Sequence, residues 1–257
     1  MLEILKTRLQ QKYRTISWPQ GPAPTLPERF AGMPVIRGNC AKDCNACTEI
    51  CPTGAIVMPD RKDQSLAPPV LDLGKCLFCR KCETVCPKGV ISFSNAYHMA
   101  TVNRADLLIH ENMPQPRDIP VPRHHRMFKR SFKLRQVCAG GCNACEADTN
   151  VLTTIGWDLS RFGIDFVASP RHADGLLITG PVTRNMKLAL EKTYAAVPHP
   201  KVVIVTGACA ISGGPYMDHD EQYNGVDDIL PVDLYIPGCP PHPMTILDAL
   251  LSFTDNL

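Results

Sequence analysis

The chain has 257 residues, 44% hydrophobic, 20% charged and 6% aromatic, with a net charge of +2. That length favours two compact units, and a near-neutral chain poor in aromatics excludes the basic, stacking surface of a nucleic-acid binder. Thirteen cysteines, an odd number in tight CxxC groups, point to metal ligation rather than disulfides, and so to an intracellular, cytoplasmic setting where thiols stay reduced.

From the N-terminus, Leu2, Leu5, Leu9 and Ile16 fall along one side of a helix over 2–16. Such a helix either packs on its own domain or docks on a membrane subunit. The start lacks the apolar core of a signal peptide, and no apolar run reaches the roughly 18 residues of a transmembrane segment. Prolines at 19–27 then lead into the cysteine-dense region.

Cys76, Cys79, Cys82 and Cys86, followed by Pro87, have the C-x2-C-x2-C-x3-C-P spacing of two-cluster bacterial ferredoxins. Cys40, Cys44, Cys47 and Cys51, followed by Pro52, repeat it with one extra residue in the first interval. Three thiolates in one tight loop can reach three irons of a cubane. The fourth, set before a chain-turning proline, points to the other cluster. One [4Fe–4S] cluster is therefore assigned to Cys40, Cys44, Cys47 and Cys86, and a second to Cys76, Cys79, Cys82 and Cys51. "TGAI" (53–56) and "KGVI" (88–91) read as returns into strands of a pseudo-twofold β-α-β arrangement. Paired four-thiolate zinc sites are the alternative, but two C-x2-C-x3-C-P tracts are poor zinc-ribbon spacing.

Residues 1–110 are thus expected to form an N-terminal helix and an α+β two-cluster ferredoxin-like domain. Residues 111–135, with four prolines and then Arg123, Arg126, Lys129, Arg130, Lys133 and Arg135, read as a linker. It is either simply solvated or a basic surface facing a partner or anionic headgroups.

From 136 to 257 the texture is that of an α/β, doubly wound, flavodoxin-like domain. Apolar runs at 162–169, 175–180, 201–207 and 232–238 alternate with helical stretches at 183–196 and 244–253, which implies a parallel sheet. Cys142 and Cys145 supply half of a cubane's ligands. Cys209 and Cys239 lie just past two predicted strands, and loops at the carboxyl ends of parallel strands converge on one crevice. These four are expected to hold a third [4Fe–4S] cluster. Gly207, Gly213 and Gly214 would let the backbone approach it, and the prolines around Cys239 would stiffen its loop. Cys138 is left over, either replacing Cys142 or lying free beside the cluster; the close C-x2-C pair is the better chelate.

Smaller signals have ordinary readings beside functional ones. His172 and Arg171 sit in a loop where they could tune a cluster or simply be solvated. Glu146 either relays protons or is an acid near a helix N-terminus. The glycines of "GACAISGG" lack the lysine of a phosphate-binding loop, which excludes a nucleotide site.

The stretches "VCAGGCNACEADTN", "FGIDFVASPRHADGLLITGPVTRNM", "KVVIVTGACAISGG" and "VDLYIPGCPPHP" resemble the small subunit of membrane-bound, energy-converting [NiFe] hydrogenases, including formate hydrogenlyase. They resemble more distantly the complex I subunit that holds the last cluster before quinone. "LGKCLFCRKCETVCPKGVISF" is similar to the ferredoxin-like subunit of the same complexes, so the chain looks like a fusion of two neighbouring subunits. The resemblance implies a proximal [4Fe–4S] cluster on Cys142, Cys145, Cys209 and Cys239, against a [NiFe]-hydrogenase-type large subunit that carries the catalytic metal. This chain would have no catalytic residue of its own. It would be an electron-transfer subunit, peripheral on the inner face of the cell membrane through further ferredoxin-like or membrane subunits. Complex I relatives carry two adjacent cysteines where this chain has C-N-A-C, which favours the hydrogenase branch. The alternatives are a complex I-like connector to quinone or another acceptor, and a free-standing ferredoxin-type carrier.

Overall fold

The computed structural model describes residues 2–12, 14–59, 68–113 and 127–257. Helix α1 (Leu2–Gln11) buries none of its side chains. It is shorter than the 2–16 expected, because Lys12 turns to φ 54°, a left-handed conformation that stops an α-helix. Ile16 is therefore off the helix; its N–H donates to the Gly156 carbonyl at 2.8 Å and its side chain packs on the C-terminal core.

Each cysteine tract builds the same unit. The first is β1 (Pro34–Ile36), α2 (Ala46–Ile50) and β2 (Ile56–Val57); the second is β3 (Val70–Asp72), α3 (Lys81–Val85) and β4 (Ile91–Phe93). The units exchange strands, β1 pairing antiparallel with β4 and β2 with β3, in the pseudo-twofold manner expected. β5 (Leu108–Ile109) extends the second sheet. Both short helices end at the last cysteine of their tract. Cys51 (ψ 114°) and Cys86 (ψ 111°) are extended, as a residue before proline must be.

The C-terminal domain is a five-stranded parallel sheet: β6 (Phe132–Cys138), β7 (Ile164–Phe166), β8 (Gly175–Thr179), β9 (Val202–Thr206) and β10 (Leu234–Ile236). The spatial order is β10-β9-β8-β6-β7, which in chain order is the flavodoxin-like 2-1-3-4-5 arrangement. β8 and β9 are buried along their whole length, as strands covered on both faces must be. Helices α4 (Ala144–Val151), α5 (Arg184–Ala196), α6 (Ala208–Ser212) and α7 (Pro243–Phe253) complete the domain.

One boundary differs from the sequence reading. β6 begins at Phe132, so residues 132–135 belong to a central strand of the sheet and not to the linker. Lys133 and Arg135 interrupt its apolar run and disguise it. Lys133 is placed opposite Asp165 in the β6–β7 register, and the two side chains pair. Of the expected linker, residues 114–126 lie outside the described residues.

The two domains share cores. Trp18, Ala100, Tyr97 and Val102 from the N-terminal part pack with α7 in the second core. That covering explains how this largely apolar helix is buried at every position but Ser252. Arg161 donates to the carbonyls of Ile16 (2.7 Å) and Trp18 (2.8 Å), and His98 Nδ1 lies 2.9 Å from Asp248 Oδ1 on α7. On the other side of the sheet, Thr101 and Tyr235 exchange backbone hydrogen bonds of 3.1 and 2.8 Å, closing part of the open edge of β10. Ser212 Oγ donates to the Gly74 carbonyl at 2.8 Å. A Cβ on Gly74 would meet Ile211 Cγ2 at 2.7 Å, so the Ile211 side chain packs directly on the Gly74 main chain because residue 74 has no side chain. Beside it, Arg104 grips Asp72 through two hydrogen bonds of 2.9 and 2.7 Å.

Candidate iron–sulfur centres

None of the thirteen cysteines forms a disulfide. Twelve of them fall into three groups, read from which thiols repel which. In the first, Cys47 on α2 is raised above the usual thiol range by burial, then by Cys40, Cys86 and Cys44. In the second, burial pushes Cys76 up to about 12. A backbone N–H from Phe78 opposes this at 3.3 Å, and Cys82, Cys51 and Cys79 add to it. Cys82 on α3 reaches about 11, by burial first and then by Cys79, Cys51 and, from the neighbouring group, Cys47.

The exchange of the fourth cysteine between tracts follows from the strand exchange. Cys51 and Cys86 each leave their own helix in extended conformation and cross to the other unit. Their sulfurs accept matching backbone hydrogen bonds, from Ala55 N–H at 3.3 Å and from Val90 N–H at 3.2 Å. Such donors stabilise a thiolate and orient it.

The third group is assembled by the parallel sheet. Cys142 lies in the loop after β6, Cys145 on α4, Cys209 on α6 after β9, and Cys239 just after β10. Burial raises Cys145 most, followed by Cys209, Glu146, Cys239 and Cys142. Cys209 is pushed up to about 12 by burial, then by Cys239, Cys142 and Glu146. Cys239 is raised by burial, by Cys142, and then by Cys79 of the second group. The three groups therefore adjoin in series, the first meeting the second at Cys47 and Cys82, the second meeting the third at Cys79 and Cys239.

Two glycines make room for these sulfurs. Gly207 has φ +92°, and a Cβ there would lie 2.5 Å from Cys145 Sγ; a Cβ on Gly214 would lie 2.8 Å from Cys209 Sγ. Four soft thiols crowded beside backbone stripped of side chains fit a bulky thiolate-bound inorganic cluster, whose irons would offset the mutual repulsion. Among the described residues, no three His, Cys, Asp or Glu side chains converge on a single-ion site.

Cys138, the thirteenth, is exposed at the end of β6. Burial of its surroundings and then a hydrogen bond to Glu146 raise it, and no thiol contributes. Glu146 is itself only 7% exposed and accepts a hydrogen bond from Thr179 Oγ1, so it is tied into the sheet rather than a free helix-terminal acid. Arg171 and His172 are exposed in the turn that precedes the amino end of β8. All four cysteines of the third group follow carboxyl ends, so the sheet separates these two residues from that group.

Sequence reasoning passed over His242 and Asp148. They line a 390 Å³ groove with Arg29, Phe30, Phe78 and Cys239, where the second group meets the third. Burial lowers His242 and raises Asp148, each partly offset, for His242 by Asp148 and for Asp148 by His242. His242 Nδ1 also accepts the Met244 N–H at 3.1 Å, capping α7. The signal was their spacing, each three residues after a cysteine.

The family model described as "NADH ubiquinone oxidoreductase, 20 Kd subunit" matches residues 142–253, and that for a "4Fe-4S dicluster domain" matches residues 39–90. Formate hydrogenlyase subunit 7 of Escherichia coli (strain K12) is 46% identical over 122 residues, which is 48% of this chain and 48% of that one. The chain thus spans about half the length of that relative. The probable membrane-bound hydrogenase subunit mbhJ of Pyrococcus furiosus is 40% identical over 132 residues, 51% of this chain and 79% of that subunit. Among solved structures, a chain of the membrane-bound sulfane sulfur reductase, an archaeal respiratory membrane complex, is similar at 34% identity and TM-score 0.46, over 51% of this chain and 73% of that one. With two ferredoxin tracts joined to a thiol-bearing parallel sheet, this chain belongs to the family of the complex I 20 kDa subunit, among the small subunits of formate hydrogenlyase and membrane-bound hydrogenases, and carries a 4Fe–4S dicluster domain at its N-terminal side.

Proposed function

We propose that the chain is the electron-relay subunit of a membrane-associated, energy-converting [NiFe]-hydrogenase complex. Cys40, Cys44, Cys47 and Cys86 would hold the first [4Fe–4S] cluster, and Cys76, Cys79, Cys82 and Cys51 the second. Cys142, Cys145, Cys209 and Cys239 would hold the third, nearest the large subunit. When bound, the clusters supply one-electron transfer. The chain's own residues set their spacing and surroundings. The observation that carries the reading is the serial adjacency of the three thiol groups across a packed domain junction. Ser212 with Gly74 and Thr101 with Tyr235 cross that junction, and Arg104 with Asp72 braces its ferredoxin side beside Gly74, so distances would not depend on the linker.

Cys142 and Cys239 are exposed while Cys209 is buried, which leaves one edge of the third group at the surface. That edge suits a partner that covers it and carries the catalytic metal, and it disfavours a self-contained carrier. The family's complex I membership supports a second reading, a connector to quinone or another acceptor without hydrogenase activity.

The test is anaerobic purification of the chain alone and with its co-purifying large subunit. Three cubanes predict about twelve irons per chain and no zinc. About eight irons would remove one cluster from the proposal. Nickel in the large subunit supports the hydrogenase reading, and a partner free of nickel supports the connector.

A further inference from the structure

Helix α1 is turned inside out relative to an ordinary surface helix. Such a helix points its apolar stripe at its own domain and its polar side at water. Here a groove of 640 Å³ separates α1 from the C-terminal domain, lined from the helix by Glu3, Ile4, Thr7 and Gln11, among others, and from the domain by Ile155 and Asp158. With about 100° per residue, those helix positions form one face, and Leu2, Leu5 and Leu9 form the opposite one. The leucines point away from the protein, at 82%, 58% and 79% exposure. No side chain of α1 is buried, so the helix is not held in place by its leucine stripe.

We propose that α1 is a membrane-surface anchor, lying in the headgroup boundary of an anionic bilayer with Leu2, Leu5 and Leu9 immersed. The charge pattern selects lipid over a protein groove. Residues 2–14 carry Lys6, Arg8, Lys12 and Arg14 against the single acid Glu3, so +4 and −1 give +3, in a chain whose total is only +2. Lys6 borders the leucine stripe on one side and Arg8 on the other; Arg8, Lys12 and Arg14 also line the groove, where Arg8 donates to the Lys12 carbonyl at 2.7 Å. Cations flanking an apolar stripe sit at headgroup level while the stripe enters the acyl boundary. The helix has ten residues, about 15 Å in length against roughly 30 Å of hydrocarbon, so it lies on the bilayer and does not span it. The inference concerns direct lipid contact by this chain, and it stands whether the large subunit is a hydrogenase or a connector.

The experiment uses the intact, cluster-loaded chain in co-sedimentation with vesicles of phosphatidylcholine alone or mixed equally with phosphatidylglycerol. Binding to the anionic vesicles and not to the neutral ones is expected, weakening as salt rises. Leu5→Glu with Leu9→Glu should lower the partition by at least about tenfold, and Lys6→Glu should lower it several-fold. Iron content and visible absorbance should match the parent in every variant, because α1 contributes nothing to either core. Failure of the parent chain to sediment with anionic vesicles would overturn the proposal, as would equal binding by the double leucine variant. Loss of co-purifying subunits in that variant, with no vesicle binding by the parent, would also overturn it and assign the leucine face to a protein.

Discussion

Cys79 on the ferredoxin side and Cys239 on the sheet side lie close enough across the domain junction that a Cys79 thiolate would oppose ionisation of Cys239, whose thiol is raised by burial, then Cys142, then Cys79. The second thiol group is thereby the one that adjoins the third, and the first is reached only through Cys47 and Cys82. Cys79→Ser should therefore separate the two ends of the relay. In the assembled complex, activity with the physiological donor should fall strongly, while activity with a small artificial donor that reaches the third cluster should survive. Equal loss of both, with the complex intact, would contradict the ordering, and equal retention would take the ferredoxin clusters off the path.

Gly207 tests the third centre from the backbone side. Its φ of +92° is already unfavourable for an L side chain, and a Cβ would press to 2.5 Å from Cys145 Sγ. Gly207→Ala should cost about four of the proposed twelve irons. The ferredoxin clusters should remain, as an unchanged low-temperature paramagnetic signal from the first two centres would show. Full iron content in this variant would mean that the Cys145 sulfur does not need the space.

The Arg104–Asp72 pair tests whether the ferredoxin side of the junction, beside Gly74, must be rigid. Both side chains are largely buried, at 28% and 13% exposure, and joined by two hydrogen bonds. Arg104→Ala leaves a mostly buried carboxylate without its partner, at a cost of roughly 2–4 kcal/mol. A lowered thermal midpoint is expected, together with slower reduction of the third cluster from the second. Asp72→Asn added to Arg104→Ala should restore part of the stability, since the stranded charge is gone.

Cys138→Ser should keep all three proposed clusters. Cys138 is exposed, touches Glu146 by hydrogen bond and is raised by no other thiol. Loss of the third cluster's signal in that variant would move a ligand from Cys142 to Cys138.

The two ferredoxin tracts were legible because their chemistry is local. Three cysteines within one turn-and-helix segment and a proline after the fourth leave little choice of geometry, and the strand exchange of β1 with β4 and β2 with β3 follows from that repeat. The parallel sheet was legible from apolar runs at β7 to β10. β6 was not, because Lys133 and Arg135 carry charge inside it, and the Asp165 that pairs with Lys133 comes from a neighbouring strand.

The amino-acid sequence by itself determined which cysteines are candidates and that two loops at carboxyl ends of strands had to bring Cys209 and Cys239 toward Cys142 and Cys145. Only the tertiary structure decided that Cys79 meets Cys239, that Trp18 from the N-terminal segment completes the core around α7, and that the leucines of α1 face outward. The reason is one of range. Ligand spacing and strand pattern are set by neighbours along the chain, whereas the docking of two domains and the rotation of a helix about its axis depend on contacts between residues that no local periodicity relates.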